Sequence, residues 1–563
     1  MKKSIKYVLT SIVILTIVLS LSGCRPKYGK ETDPHKYLTF VLQEDQTYMV
    51  TGFSSKYIKN VIIPNEHKGR PVTRISDYAF AIGQSFFGIG PFHLPIDTLI
   101  VEEGITHIAN QAFRDNGISE ITLPESLLHI GVEAFMGNGN ISNLPSNLNY
   151  IGEAAFRNTH LSGSIHIQNI HIESWAFSGT KITDIIFEEG ITTIPNYLFY
   201  DTSELKSVHF PNSLLSIEEG AFQLTPKLTH IDFPVNLEVI DRRAFSDSGL
   251  VVLDFYHSLD IGANAFYKNS SLTTVRFHHP GITMDMQSFG SNQQLNNVEF
   301  NDLEIIKPEA FMGSSLNAMS LSETNLYYQI FDNGISKQYN DSNYLILAGS
   351  HLTNLTMFDY IGSHAYAGRN IDTLHIPNNI KTIESYAFSL ATISNLIIDA
   401  EIIKSNAFYY AQIGETLEIS SKMIKKQSFY NTSGFKILKL NEGVEHIERE
   451  AFAANFELEK LYLPNSLKTV EMAAFLQCHK LKDVYYRLKE GTPADIYIGS
   501  FLIMKSNRIE NNRIYAKIYD DFRIHVEPEM YNKILIAWSR IPQDEFYVYE
   551  GSLINHIVQN NAQ

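Results

Sequence analysis

The sequence predicts a repeat solenoid, on three features that recur in step along its 563 residues. One is an aromatic column at a spacing of about 22 residues: Phe80, Phe113, Phe135, Phe156, Phe177, Phe199, Phe222, Phe245, Phe266, Phe289, Phe311, Tyr366, Phe388, Phe408, Phe429, Phe452, Phe475 and Phe501. The second is a proline closing a short apolar step, at Pro64, Pro124, Pro145, Pro211, Pro234, Pro377 and Pro464. The third is a small polar residue three places after most aromatics: Asn116, Asn138, Thr159, Thr180, Thr202, Thr225, Ser248, Asn269, Asn292, Ser314, Thr432, Asn455 and Cys478. Self-similarity of this kind describes about 18 copies of one coil, none able to bury its apolar face without neighbours.

Residues 228–245 show the physics of one coil. Ile231 and Phe233 alternate as in a strand with one buried face, and Pro234, which has no N–H to give a ladder, ends it. Leu237 and Ile240 turn the chain back, and Ala244 leaves room for the ring of Phe245 to stack on its neighbours. Burying one such side chain is worth roughly 1.5–3 kcal/mol before the entropy of ordering it, so only a continuous column makes a core. Asn, Thr and Ser satisfy backbone groups of turns that lack a strand partner, so the polar slots predict a hydrogen-bonded ladder. Arg369, Ala391 and Ala411 break the pattern, and the ladder is expected to be weakest there.

Taken from the amino terminus, residues 1–23 read as a secretory signal. Lys2, Lys3 and Lys6 precede an apolar run too short for a stable membrane span. Leu21-Ser22-Gly23-Cys24 resembles a bacterial lipobox, which implies diacylglyceryl attachment at Cys24. Residues 24–36 follow as lipidated cysteine and tether. Residues 37–78 are expected to form an opening hairpin and first coil, and residues 79–315 a first array. Within it residues 83–94 exceed a normal coil and carry Phe86, Phe87 and Phe92, a candidate binding loop or extra core. Residues 316–360 read as a β-hairpin insertion around Asp332-Asn333-Gly334, projecting from the solenoid. A second array occupies 361–503, and a carboxy-terminal cap 504–563, with the last residues from Asn555 expected to fray.

The unit L-x-x-I-x-L-P-x-x-L-x-x-I-x-x-x-A-F-x-x-[NTSC] resembles the BspA-type, or Treponema pallidum-type, leucine-rich repeat of bacterial surface proteins, over residues 37–501. The resemblance implies a right-handed, β-solenoid-like horseshoe with one parallel sheet along its concave side. It also implies surface exposure, adhesion to host or microbial partners, and no enzymatic activity. The coil at 141–156 is short, Ser288 and Ser428 replace the alanine, and Leu198 precedes Phe199, so local irregularity is expected at those places.

Chemistry is sparse. There is no HExxH, GxSxG, CxxC or phosphate-binding GxxxxGK[ST], and no metal or cofactor is expected. Ser246-Asp247-Ser248 falls in a coil turn. Adjacent His278 and His279 point in opposite directions on a strand end, without matched ligands. The only cysteines are Cys24 and Cys478, and the second occupies a polar slot. With 45 basic and 61 acidic residues the net charge is −16, and removal of the signal's lysines makes it more negative, which disfavours nucleic acid. What remains is the row of outward residues on successive first strands, about 5 Å apart. It reads His209, Asp232, Asp254, Arg276 and Glu299, then Glu418, Lys439, Tyr462 and Tyr485. That strip is the candidate binding face for an extracellular protein or glycan. The expected function is a lipid-anchored adhesin-like surface module, or alternatively a scaffold for the cell's own envelope.

Overall fold

The computed structural model describes residues 32–54, 58–82, 95–142, 144–168, 170–300, 303–488, 492–496, 501, 509–510, 513–517, 522–538, 547–550 and 557–559. Contacts divide the chain into two compact units, Met1–Leu237 and Glu238–Gln563. The segment expected to be a signal, residues 1–23, Cys24 and the loop with Phe86, Phe87 and Phe92 lie outside the described residues.

In the first unit the helical turn Pro34–Tyr37, capped by Asp33, leads into an antiparallel pair, Leu38–Leu42 with Tyr48–Phe53. This is the expected opening hairpin, although its first turn already orders the end of the predicted tether. Tyr37 is 1% exposed, and its hydroxyl donates to the Ile62 carbonyl at 3.2 Å. The first strands of successive coils then pair in parallel, Asn60–Ile63 with Thr98–Val101 and onward to Asn140–Ile141. A further set runs through Ser162–Ile167, Lys181–Phe187 and Ser207–His209.

A second ladder accompanies the first. The Leu-x-x-Ile step was read as a turn, yet its last two residues pair from coil to coil: His107–Ile108, His129–Ile130, Tyr150–Ile151 and His171–Ile172 are all parallel partners. Two residues suffice because the isoleucine points into the core while the backbone of the residue before it bonds its neighbours. The aromatic turns are linked as well. Gln111, Phe113 and Asp115 donate their N–H groups to Val132, Ala134 and Met136 carbonyls at 2.8–2.9 Å. The turn reverses sharply because the residues two before and two after the aromatic are left-handed, as at Gln111 (φ 54) and Asp115 (φ 52), with glycine at some of these places, such as Gly137 (φ 74). Residues 231–233, expected as a strand, join no ladder, although Ile231 is buried.

The second unit repeats the plan. Its first-strand ladders run through Val252–Phe255, Thr274–Phe277, Asn297–Glu299 and Ala318–Ser320, then from Asn370–Ile376 to Asp483–Tyr486. The insertion is larger than one hairpin: Gln329–Phe331, Gly334–Tyr339 and Ser342–Ala348 form an antiparallel meander. Its last strand continues the solenoid through Tyr344 opposite Tyr360, so the segment is built into the second ladder instead of projecting from it. At the far end Arg523–Val526 pairs with Asp483–Tyr486, and Phe522, Met530 and Ile534 cover the core beneath the short helix Tyr531–Trp538. The expected fraying after Asn555 is corrected at Ile557–Gln559, a strand paired with Arg523–Val526; its buried Ile557 supplies the apolar contact that holds it.

The aromatic column is the spine of each core, with no member more than 3% exposed. Rings stack nearly parallel, from 5.1 Å between Phe80 and Phe113 in the first unit to 4.6 Å between Phe408 and Phe429 in the second. The stack continues through the places marked as irregular, at Leu198 (Phe177 to Phe199, 5.6 Å) and at Ser428 (Phe429 to Phe452, 4.9 Å). A buried serine or a leucine evidently fits the space that alanine usually fills.

The polar ladder caps the aromatic carbonyls. Asn138 donates to the carbonyls of Phe113 and Phe135, both at 2.8 Å, and accepts from the Ile118 N–H at 2.9 Å. Cys478 plays the same part, its thiol 3.3 Å from the Phe452 carbonyl, and burial pushes that thiol up to about 12. At Arg369 the ladder is not weak. The 2% exposed guanidinium donates to Phe311, Ser314 and Ala348 carbonyls at 2.8, 2.8 and 3.1 Å, tying the coil before the insertion to the coil after it. At Ala391 and Ala411 backbone pairing takes over: Thr392 donates to Arg369 and Gln412 to Ala391, each at 2.8 Å.

Candidate functional site

The outward row of the first-strand ladder is in register where strands exist. Asp254 lies opposite Arg276 and Arg276 opposite Glu299. Further along, Glu418, Lys439, Tyr462 and Tyr485 stand opposite one another in succession, and the row extends to His525, which sequence reasoning missed because the cap sits outside the repeat spacing. In the first unit His209 is on a strand, whereas Asp232 is on none; its carboxylate is 90% exposed and 3.2 Å from His230 Nε2.

The charges of the row are spent on one another. Arg276 reaches Asp254 at 3.2 Å and Glu299 at 3.0 Å, and the Glu299 hydrogen bond foremost holds the guanidinium above its usual pKa. His278 adds a contact of 2.9 Å to Asp254. Lys439 pairs with Glu418 at 2.7 Å. Such half-exposed pairs contribute little to stability, about 0–1 kcal/mol each, but they hold long side chains in one geometry. The rings behave alike: Tyr462 and Tyr485 stack at 4.8 Å, Tyr485 and His525 at 4.6 Å, and the Arg487 guanidinium sits 5.0 Å over Tyr462. The ring faces are therefore covered.

The second ladder carries a comparable row in the first unit. His107, His129, Tyr150 and His171 stack at 5.5, 4.4 and 5.5 Å. Burial, then the charge of Arg74 in line with them, lowers the pKa of His107 and His129. Tyr150 is pushed up to about 12, by burial and by its hydrogen bond to Glu173. Two depressions of about 340 and 270 Å³ flank the coil at 165–172. Among the described residues no group of three or more His, Cys, Asp or Glu is placed to hold a metal ion, and no helix is long and apolar enough to cross a membrane.

Comparison with known proteins follows the geometry. A family model described as BspA type leucine rich repeat region, six copies, matches residues 49–171, 82–202, 142–251, 227–338, 259–390, 339–416 and 401–519. No curated protein matches. Among solved structures, a leucine rich cell surface protein from Faecalibacterium prausnitzii is 16% identical, covering 96% of this chain and 100% of that one, with a TM-score of 0.25. A leucine-rich repeat protein from Bacteroides ovatus is 17% identical over 82% of this chain and 95% of that one, at 0.33. The T. pallidum leucine rich repeat protein is 19% identical over 34% and 89%, at 0.30. Scores this low define no shared overall geometry.

Proposed function

Because the chain belongs to the BspA type leucine-rich repeat family, we propose that it is a non-catalytic, macromolecule-binding module of a bacterial cell surface. The observation that carries this reading is the outward row of the first-strand ladder. Repetition places Glu418, Lys439, Tyr462, Tyr485 and His525 side by side on paired strands, a preorganised surface that needs no further ordering to meet a partner. In the same unit Asp254, Arg276 and Glu299 form a charged stretch of the same kind on paired strands. Attachment through a lipid on Cys24 is the anchoring half of the proposal and rests on Leu21-Ser22-Gly23-Cys24.

Two measurements test it. Cys24→Ser is expected to release the protein from the membrane fraction and abolish incorporation of labelled palmitate; a wild type that never takes up palmitate removes the anchor. Purified residues 25–563 are then offered matrix proteins and the cell's own envelope extract. Tyr462→Ala with Tyr485→Ala is expected to speed dissociation of the captured partner about tenfold or more, since ring anchors act mainly on the off-rate. Capture of envelope components alone would favour the scaffold role over adhesion.

A further inference from the structure

Three consecutive coils in the second unit gather tyrosines on their aromatic turns. The positions two before, one after and two after the aromatic read Tyr386, Ser389 and Leu390 around Phe388, then Asn406, Tyr409 and Tyr410 around Phe408, then Gln427, Tyr430 and Asn431 around Phe429. None is charged. The same positions carry charge in some other coils, as at Arg114, Asp115, Glu133, Asp201, Arg243, Asp247 and Lys268, and none in others, as around Phe177, Phe222, Phe289 and Phe475. What sets these three apart is four phenols and a leucine gathered on adjoining turns.

The backbone brings these residues together. Leu390 donates its N–H to the Tyr409 carbonyl at 3.0 Å, and Tyr410 donates to Tyr430 at 3.2 Å. Leu390, Tyr410 and Tyr386 remain 53%, 45% and 38% exposed, a concentration of apolar surface that an isolated exposed leucine would not provide. Ring orientation separates this patch from the Tyr462 row. Tyr409 and Tyr430 are nearly parallel (13°, 5.9 Å), but Tyr410 stands at 64° to Tyr409 and 55° to Tyr430, and Tyr386 at 78° to Tyr409. One face of Tyr386 is taken by the His364 ring (4°, 5.5 Å), whereas Tyr410, turned across the Tyr409–Tyr430 stack, is not closed off by it and can offer a face as well as an edge.

We infer that the Tyr386–Leu390–Tyr409–Tyr410–Tyr430 patch is a binding site for a neutral, extended glycan. A sugar ring presents an apolar C–H face that packs on an aromatic face, while its hydroxyls exchange hydrogen bonds with phenols and amides. Asn406 is the nearest amide, its Nδ2 3.4 Å from the Tyr386 hydroxyl. Absence of formal charge from all nine turn positions matches a ligand without charge, and an extended hexose polymer repeats at close to the rise of one coil. The inference rests on the binding-module reading above but uses a different face of the repeat.

The test uses the intact chain, titrated calorimetrically with neutral oligosaccharides, cellohexaose and chitohexaose among them, and with a heparin oligosaccharide as charged comparator. A neutral glycan is expected to bind, with little response to added salt because no ion pair forms. Tyr410→Asn combined with Tyr430→Ala is expected to weaken binding by about tenfold or more, while Leu326→Ala, at an exposed apolar residue outside the patch, leaves it unchanged. Asn suits the left-handed backbone at this place, as Asn431 (φ 52) shows one coil later, so the variant should keep the wild-type melting temperature. If the double variant does unfold, Tyr386→Ala alone serves, since its ring is exposed and its neighbours are retained. No neutral glycan bound, binding of heparin only, or unchanged affinity in folded variants would each overturn the proposal. A purified protein ligand that competes for these tyrosines would overturn the glycan assignment yet leave the binding-module reading standing, whereas loss of every ligand class fails that reading itself.

Discussion

At the scale of single residues, the repeat is held by a buried side chain that most sequences would place on a surface. Asn138 makes three hydrogen bonds of 2.8–2.9 Å and a longer one of 3.4 Å in the buried interior of its coil, each to a backbone group with no strand to join. Replacing it with alanine leaves those groups unsatisfied, which costs more than the bonds contribute when formed. Asn138→Ala is therefore expected to destabilise its region by about 3 kcal/mol, and Asn138→Thr by less, since the threonines at 159 and 180 still cap an aromatic carbonyl at 2.8 Å. Hydrogen exchange at the amides of Ile118 and its neighbours measures the difference; equal protection in both variants would contradict it. The slots were legible in the sequence because composition and spacing coincide. The role of Arg369 was not, since three carbonyls arrive from coils separated by the insertion, and only folding brings them within reach.

At the scale of elements, the two-residue strands of the second ladder were hidden. A pair such as His107–Ile108 has no alternation long enough to read, and its pairing exists only because the longer first strands fix the register of every coil. The row His107, His129, Tyr150 and His171 has a consequence for pH. The groups facing it are Arg74 at one end, the Thr106 hydroxyl 2.9 Å from His107, and Glu173 near Tyr150 and His171. Folding lowers the pKa of His107 and His129, so as the pH falls through about 6.5 the unfolded chain binds protons before the folded one does. Stability of these coils is thus full above that pH and declines below it. His129→Gln is expected to flatten the decline, read as hydrogen exchange over residues 107–173 at about pH 7.5 and about pH 5.5. An identical pH response in the variant would remove these histidines as its cause.

For the whole molecule, stability is the sum of many neighbour contacts instead of one global core. Phe408 stacks at 4.7 Å on Phe388 and 4.6 Å on Phe429, all without exposure to solvent. Phe408→Ala should open a cavity costing about 3–5 kcal/mol, with the loss confined to the adjoining coils. Hydrogen exchange is expected to quicken over residues 386–432 and to change little at residues 274–299 or at 523–526. A uniform rise throughout would mean that the chain unfolds as one cooperative body. The acidic balance acts at this scale too, favouring solubility and disfavouring polyanionic partners without selecting any particular one.

The repeat itself, its aromatic spine and its polar slots were determined by the sequence alone, because each depends on a local pattern that recurs at one period. Tertiary structure alone decided which surfaces are open. The row ending in Tyr462 and Tyr485 looked on paper like free charge and free rings, but folding pairs its acids with its bases and stacks its rings against one another. Conversely, Tyr386, Leu390 and Tyr410 stand at unremarkable places in the chain, on turns that the repeat pattern leaves unspecified. Their meeting follows from coils laid one on the next, which turns a separation of about 20 residues along the chain into the distance between neighbouring strands.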